Sequence, residues 1–373
     1  MSDIDENNII KSDILNKTVE KIKNACCQIT FIINGSYYIG SGWFFYETNE
    51  DLKFGYLITA AHCVMEIIDN VYYKTSEFYF QNPITENWTK ADVNNIFIDG
   101  IGDIALIKTN IDFTNYESYC LKLSQNEIIE GELCYVVGNP MGFDEDSFSL
   151  GTARDPHYCE PGGYQVPDSL HVSCPGMGGN SGGPIVDIKG DVIGIYTFGL
   201  AGGYECFGGG SNKDVLKKSL DIMKTNTDNK IKRYLGLDWS VPSPFLIKNY
   251  YQNDNSFSTN GVYIHSVSEK SPFYGILNAG DLLLNATIVN TNEIIEFGNK
   301  YNERTPGILI YNYSNIEINI SYIKSGSINK ISSLVTLNKT YNDVPNILDG
   351  PLQTGLRERQ NCKFLQRIKL ENV

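Results

Sequence analysis

Positive charge is scarce in this 373-residue sequence: 30 Lys and Arg stand against 44 Asp and Glu, for a formal net charge of −14 at pH 7. An acidic surface repels nucleic acid and anionic membranes, so neither is expected as a main partner. Long apolar runs are missing as well. No stretch approaches the ~20 residues of a membrane span. The opening MSDIDENNIIKSD has neither the basic nor the apolar part of a secretory signal, so an intracellular location is expected. In such a chain the nine cysteines read as free thiols rather than a disulfide framework. Histidine is rare too, with only His62, His157, His171 and His265. Any chemistry that needs an imidazole has four places to look.

What is present describes a folded chain. Hydrophobic residues make up 42 % and charged residues 20 %, over a length sufficient for two or three compact domains. The abundance of Asn, Ile, Lys and Tyr is what an AT-rich genome encodes, such as that of a large DNA virus or a protist. His157, Cys159, His171 and Cys174 form an H-x-C, H-x-x-C set of soft ligands, but the spacing matches no zinc-finger pattern. No metal and no cofactor is expected.

The most unusual segment is CPGMGGNSGGPIVD, residues 174–187, where five glycines surround Ser181. Glycine is the default residue for positive φ, so one reading is a tight loop. The sharper reading is a nucleophile beside converging backbone N–H groups. A serine hydroxyl needs a base, and the base needs an orienting acceptor. His62 lies in YLITAAHCV, just past an apolar strand (Tyr56, Leu57, Ile58), and Asp103 lies in GDIALIKT at the mouth of another (Ile104 to Ile107). A core histidine and a strand-capping aspartate are the bland alternatives for each alone. Together, in the order His62, Asp103, Ser181, they point to nucleophilic acyl transfer.

The segments TAAHC, GDIAL and GNSGGP resemble the three catalytic signatures of chymotrypsin-fold serine proteases, and the wider pattern resembles the HtrA/Deg branch of that family. TVEKIKNACCQITF (18–31), GSGWFF (40–45), VGNPMGF (137–143) and SFSLGTA (147–153) carry the likeness through the protease part. IKRYLGLDW (231–239) and GVYIHSVSEKSPFYGILNAGDLLL (261–284) are similar to the opening and core of an HtrA PDZ domain. The resemblance extends from about residue 18 to about residue 340. It implies a mostly β fold: a polar tail and short helix over 1–24, a two-β-barrel protease domain over 25–230, an α+β PDZ-like domain over 231–340, and a tail over 341–373. Leu15, Val19, Ile22 and Cys26 recur at helical spacing within the first segment. In the helix over 211–224 Asn212 is the expected N-cap, with Val215, Leu216, Ser219, Leu220 and Met223 on one face.

The resemblance also assigns roles. His62 is the general base, Asp103 its orienting acceptor and Ser181 the nucleophile. The N–H groups of Gly179 and Ser181 form the oxyanion hole. Pro175, Gly176, Tyr196, Thr197 and Phe198 line the substrate pocket. SLHVSCPG holds no acid, so a small or medium apolar P1 residue is expected; Glu205 is the one nearby acid that would change this, and CFGGG (206–210) departs from the family's usual pocket floor. No cysteine between Gly35 and Ile58 is available for the bridge that secreted relatives make next to the catalytic histidine, and Cys174 with Cys206 across the pocket stays open. Asn180 stands where trypsin-like zymogens carry Asp, so activation by loop ordering and a homotrimer are expected. The amides of Tyr234, Leu235, Gly236 and Leu237 would cap a peptide carboxylate, with ILIYNY (308–313) as the place for a groove helix. The implied activity is a serine endopeptidase acting on polypeptides. The alternative is a dormant peptide-binding, chaperone-like or virion structural protein on the same fold.

Overall fold

A computed structural model describes residues 6–46, 55–68, 71–100, 102–142, 147–158, 169–199, 207–224, 235–240, 242, 260–298, 306–311 and 316–338. The described residues up to 155, with 170–217, form one compact unit; those from 218 onward, with 156–158 and 169, form a second.

The first unit opens with helix α1 (Glu6–Ala25), in which Ile22 is buried and Val19 half-buried. Cys26, counted with the helix from its spacing, is instead the first residue of strand β1. The run CCQITFII is rich in β-branched and aromatic residues, which pack well on a pleated surface, so the strand wins there. Two seven-stranded sheets follow. The first comprises β1 (Cys26–Ile33), β2 (Ser36–Phe45), β3 (Tyr56–Thr59), β6 (Glu77–Gln81), β7 (Trp88–Ala91), β8 (Ile96–Asp99) and β9 (Ile104–Lys108), in the order β7-β6-β1-β2-β3-β9-β8. A separate hairpin, β4 (Met65–Ile68) and β5 (Val71–Lys74), lies between β3 and β6 in the chain. The second sheet comprises β10 (Leu133–Gly138), β11 (Ser147–Tyr158), β12 (Ser169–Val172), β13 (Pro184–Asp187), β14 (Val192–Ile195), β15 (Phe198–Gly199) and β16 (Gly208–Ser211), in the order β14-β13-β10-β11-β12-β16-β15.

Each sheet wraps its own core. In the first, Ile29, Phe31, Phe44, Leu57, Phe78, Phe80, Ile107 and Phe113 cluster; in the second, Val136, Leu170, Val172, Ile185 and Ile193. A fully buried side chain of this size contributes about 1.5–3 kcal/mol. Both cores are therefore stiff supports for what emerges at the strand ends. These are the two barrels expected from the sequence.

Helix α2 (Lys213–Lys224) starts as expected: the Asn212 side-chain oxygen accepts the N–H groups of Asp214 and Val215, both at 3.1 Å. Val215, Leu216, Ser219, Leu220 and Met223 are all buried. The second unit holds a six-stranded antiparallel sheet of β17 (Leu237–Ser240), β18 (Val262–Val267), β19 (Leu282–Ile288), β20 (Ile294–Glu296), β21 (Ile316–Ile323) and β22 (Lys330–Leu337). The order is β17-β18-β19-β21-β22, with β20 on β19, so β17 lies at the edge among the described residues. In place of a groove helix at 308–313, a 3₁₀ segment spans Pro306–Tyr311, and 312–315 lie outside the described residues. Pro306 and Gly307 disfavour an α-helix there. Among the described residues no helix is long and apolar enough to cross a membrane.

Candidate active site

Strand β3 is anchored between β2 and β9, and its last residue, Thr59, donates its hydroxyl to the Ser41 carbonyl at 2.8 Å. The chain then passes through extended Ala60 into the 3₁₀ turn Ala61–Cys63, which places His62 just beyond the strand. Asp103 immediately precedes β9 and is fully buried. Its φ of +53° is left-handed, a conformation that Asp tolerates better than bulkier residues. One carboxylate oxygen accepts the His62 backbone N–H at 2.9 Å, and the other lies 2.8 Å from His62 Nδ1. Both oxygens are thus used on one residue. Nδ1 is fixed as the donor, which leaves Nε2 as the basic nitrogen. Burial, the largest single influence, works against a charged imidazole here, but Asp103 and then the Cys63 thiol outweigh it and hold His62 above its ordinary pKa.

Ser181 is half-buried on the loop between β12 and β13. Its carbonyl accepts the Ser41 N–H at 3.0 Å and a long bond from the Cys63 thiol at 3.7 Å. Cys63 follows His62, so this contact brings the serine's backbone against the histidine turn. The next residue explains how it fits. Gly182 has φ +89°, and a β-carbon there would sit 2.1 Å from Thr59 Oγ1 and 2.7 Å from the Ala60 nitrogen. Only glycine allows the Ser181 loop to lie against the strand end that leads to His62. The Ser181 backbone therefore lies against the turn that carries His62, which is itself bonded to Asp103.

The same loop directs its amides. The Gly178 carbonyl accepts the Met141 N–H at 2.7 Å, and the Asn180 carbonyl accepts the Gly183 N–H at 3.0 Å. In a trans peptide the N–H points opposite to the C=O. Anchoring those two carbonyls therefore orients the N–H groups of Gly179 and Ser181, the two expected to receive an oxyanion. Gly179 itself has φ +101°, and a β-carbon on it would lie 2.4 Å from the Asn139 carbonyl.

Ser41 is the participant that the sequence reading passed over. It is 1 % exposed; its hydroxyl donates to the Gly179 carbonyl at 2.7 Å and accepts the Asn139 N–H at 2.8 Å. Its own backbone holds Ser181 on one side and Thr59 on the other. One residue of the first sheet thus ties together the nucleophile loop, the 139–142 turn and the histidine strand. A serine between two glycines in GSGWFF was the available signal.

Tyr196 sets the wall beside the nucleophile. Its N–H donates to the Gly183 carbonyl at 2.9 Å, and its carbonyl accepts the Gly182 N–H at 2.8 Å. Of the other expected pocket residues, Gly176, Thr197 and Phe198 are buried and Pro175 is exposed. Burial pushes the Tyr196 phenol up, with Cys174 adding to the shift. Cys174 lies 3.7 Å from Cys134, sulfur to sulfur, and both are free thiols; Cys206 and Glu205 lie outside the described residues. Cys63 is also free, in keeping with the missing bridge partner. Among the described residues no cluster of His, Cys, Asp or Glu is arranged to hold a metal, and Cys159 lies outside them. His171 packs against Phe207 with ring centroids 3.6 Å apart and the rings tilted by 46°, and burial, together with Arg154, pushes it down to about 4.

In the second unit Leu235 and Leu237 are fully buried, Gly236 has φ +60°, and Tyr234 lies outside the described residues. The Leu235 carbonyl accepts the Ser271 hydroxyl, and the Gly236 carbonyl accepts the Ser268 N–H at 2.8 Å.

Residues 40–195 match the profile of the trypsin-like peptidase domain. Among curated proteins the chain is similar to serine protease HTRA1A of Danio rerio, 28 % identical over 205 residues, covering 52 % of this chain and 40 % of that one. It is also similar to serine protease HTRA2, mitochondrial, of Drosophila yakuba, 31 % identical over 125 residues, covering 31 % of this chain and 29 % of the relative. The match thus spans less than half the length of either relative. Among solved structures, the HtrA-type protease AlgW with tripeptide superposes with a TM-score of 0.60 at 17 % identity, covering 87 % of this chain and 95 % of that one. A serine endoprotease from Yersinia pestis gives a TM-score of 0.51 at 18 % identity, with 86 % and 96 % covered. At such identities the likeness shows the fold: a mostly β, chymotrypsin-like architecture of the HtrA type.

Proposed function

We propose that this chain, which carries a trypsin-like peptidase domain and is similar to the HtrA-type serine proteases, is a serine endopeptidase that cleaves polypeptides through an acyl-enzyme. The observation that carries the reading is the two-point His62–Asp103 pair set against a loop whose anchored carbonyls turn the Gly179 and Ser181 amides to one task. His62 Nε2 takes the Ser181 proton as Oγ attacks a peptide carbonyl. It then delivers that proton to the leaving amine, and later takes one from the water that releases the acyl group. Asp103 keeps the tautomer and stabilises the imidazolium. The two amides receive the negative oxygen of the tetrahedral intermediate, a contribution worth about 10²–10³ in rate per donor.

Two further elements belong to this proposal. The Leu235–Leu237 turn beside edge strand β17 is the place where a peptide C-terminus would bind, adding a strand to the sheet. A homotrimer is the proposed assembly, following the resemblance to HtrA-type enzymes. Light scattering over the working concentration range checks it, and a monomer mass throughout would remove it.

A fluorophosphonate probe tests the core of the reading. Ser181 Oγ attacks phosphorus and fluoride leaves, so the protein gains the phosphonyl mass. The adduct is expected in the wild type and absent in Ser181→Ala. A wild type that takes no label, with or without added C-terminal peptides, overturns the endopeptidase.

A further inference from the structure

Glycines beside a nucleophile are usually read as room left for substrate. Two of them here make room for the chain's own tyrosine instead. A β-carbon on Gly176 would lie 1.8 Å from the Tyr196 hydroxyl oxygen, 2.3 Å from Cζ and 2.9 Å from Cε1. A β-carbon on Gly208 would lie 2.5 Å from the same oxygen and 2.8 Å from Cε2. The phenol end of Tyr196 is therefore inserted between the backbone of the loop before Ser181 and the backbone of β16. The ring is held from behind by its own main chain, which bonds to Gly182 and Gly183, the two residues after the nucleophile. Tyr196 is only 4 % exposed. The space between the loop before Ser181 and β16 is thus filled by this ring at Gly176 and Gly208.

We propose that Tyr196 is the specificity-determining residue of this site: its ring occupies the P1 pocket and restricts the residue before the scissile bond to about the size of alanine. The proposal rests on the endopeptidase reading and narrows its substrate class. Apolar residues of medium size, included in the expectation from sequence, are excluded by it. The physical reason is packing. The ring lies against main chain at Gly176 on one side and at Gly208 on the other, so close that neither position has room for a β-carbon, and a larger P1 group has no volume to enter.

The test uses the full chain and Ala-Ala-X diphenyl phosphonates with X as the phosphonate analogue of Ala, Val, Leu or Phe, alongside a small alkyl fluorophosphonate. In each case the Ser181 Oγ–P bond forms; phenol leaves from the peptide probes and fluoride from the small one, and adduct mass is followed over time. A hydrophobic pocket discriminates by about 10–200-fold per methylene, so the wild type is expected to react at least about 100-fold faster with the Ala probe than with the Leu or Phe probe. Tyr196→Val should speed the Phe probe by tenfold or more, whereas Tyr196→Phe, which keeps the ring, should retain the small-residue limit. If Tyr196→Val fails to melt cooperatively, Tyr196→Leu, closer in volume, takes its place. A wild type that takes Phe as fast as Ala, or a ring-less variant with an unchanged profile, overturns the proposal while fluorophosphonate labelling leaves the endopeptidase standing. Failure of the small probe overturns the endopeptidase, and the pocket assignment falls with it.

Discussion

The two sheets of the first unit deliver their reactive groups in different ways. The first presents His62 and Asp103 from adjacent strands, β3 and β9, and the pair is fastened within that sheet by two bonds of 2.9 and 2.8 Å. The second presents Ser181 on a glycine-rich loop whose geometry depends on bonds from outside it: the Met141 amide from the neighbouring turn, and Ser41 from the other sheet. The His62–Asp103 pair is bonded within its own sheet, and the second sheet reaches it only through the Ser211 hydroxyl on the preceding Gly102 carbonyl at 2.7 Å, whereas the Ser181 loop takes its bonds from Ser41 of the other sheet and from the Met141 turn. What differs is who supplies the hydrogen bonds.

Mutations that separate the two halves sharpen that contrast. Ser181→Ala should cost about 10⁶ in kcat, measured on any cleaved peptide, with the fold and the His62–Asp103 pair unaffected. Asp103→Asn should cost about 10⁴ by leaving the imidazole in the wrong tautomer. It should also move the acid limb of the pH–rate profile. Asp103 raises His62 in the folded protein, so activity in the wild type climbs as pH rises through that elevated value; without the carboxylate the climb should shift to lower pH. Stability runs the other way. The charged pair contributes fully below the unfolded-state value of about 6.5 and loses its contribution as pH rises through the folded one, which melting curves of wild type and Asp103→Asn would resolve. Gly179→Ala should cost about 10²–10³ in kcat by pushing the loop off the Asn139 carbonyl and misplacing one amide.

Ser41→Ala is the mildest and most informative of the series. It takes the acceptor from the Asn139 N–H and the donor from the Gly179 carbonyl, each worth about 1–3 kcal/mol when left buried and unsatisfied. The expected result is a drop in kcat of about tenfold to a hundredfold, short of the loss of a whole oxyanion donor. The proton resonance of the His62–Asp103 bond should be unchanged. A shift in that resonance would mean that the two halves are not separable.

The His62–Asp103 pair and the Ser181 loop were legible because their residues sit in short local contexts: an apolar strand followed by small residues before His62, an apolar strand after Asp103, and glycines around Ser181. Those patterns are set by backbone geometry within a few residues. The cores were legible for the same reason, through runs such as CCQITF and PIVD. Ser41 was not, because its partners Asn139 and Gly179 are 98 and 138 residues away and its local context says only that a strand begins near a glycine. Tyr196 was read as a pocket residue, but not its insertion between Gly176 and Gly208. In a linear sequence Gly176 looks like loop flexibility, and the ring that needs its missing side chain lies on another strand. Cys174 likewise meets Cys134 through the order of β10, β11 and β12.

The Ser41 bond to Gly179 also bears on how the chain is made. A ribosome releases the residues of β2 long before those around Ser181, and domains fold as units when their sequence has emerged. Until the second sheet has formed, the early part of the chain holds a base and its partner with nothing to activate; until the first has formed, the serine's loop lacks its clasp. The proposed endopeptidase activity therefore requires both sheets, and a copy stalled before the second sheet emerges would not have it.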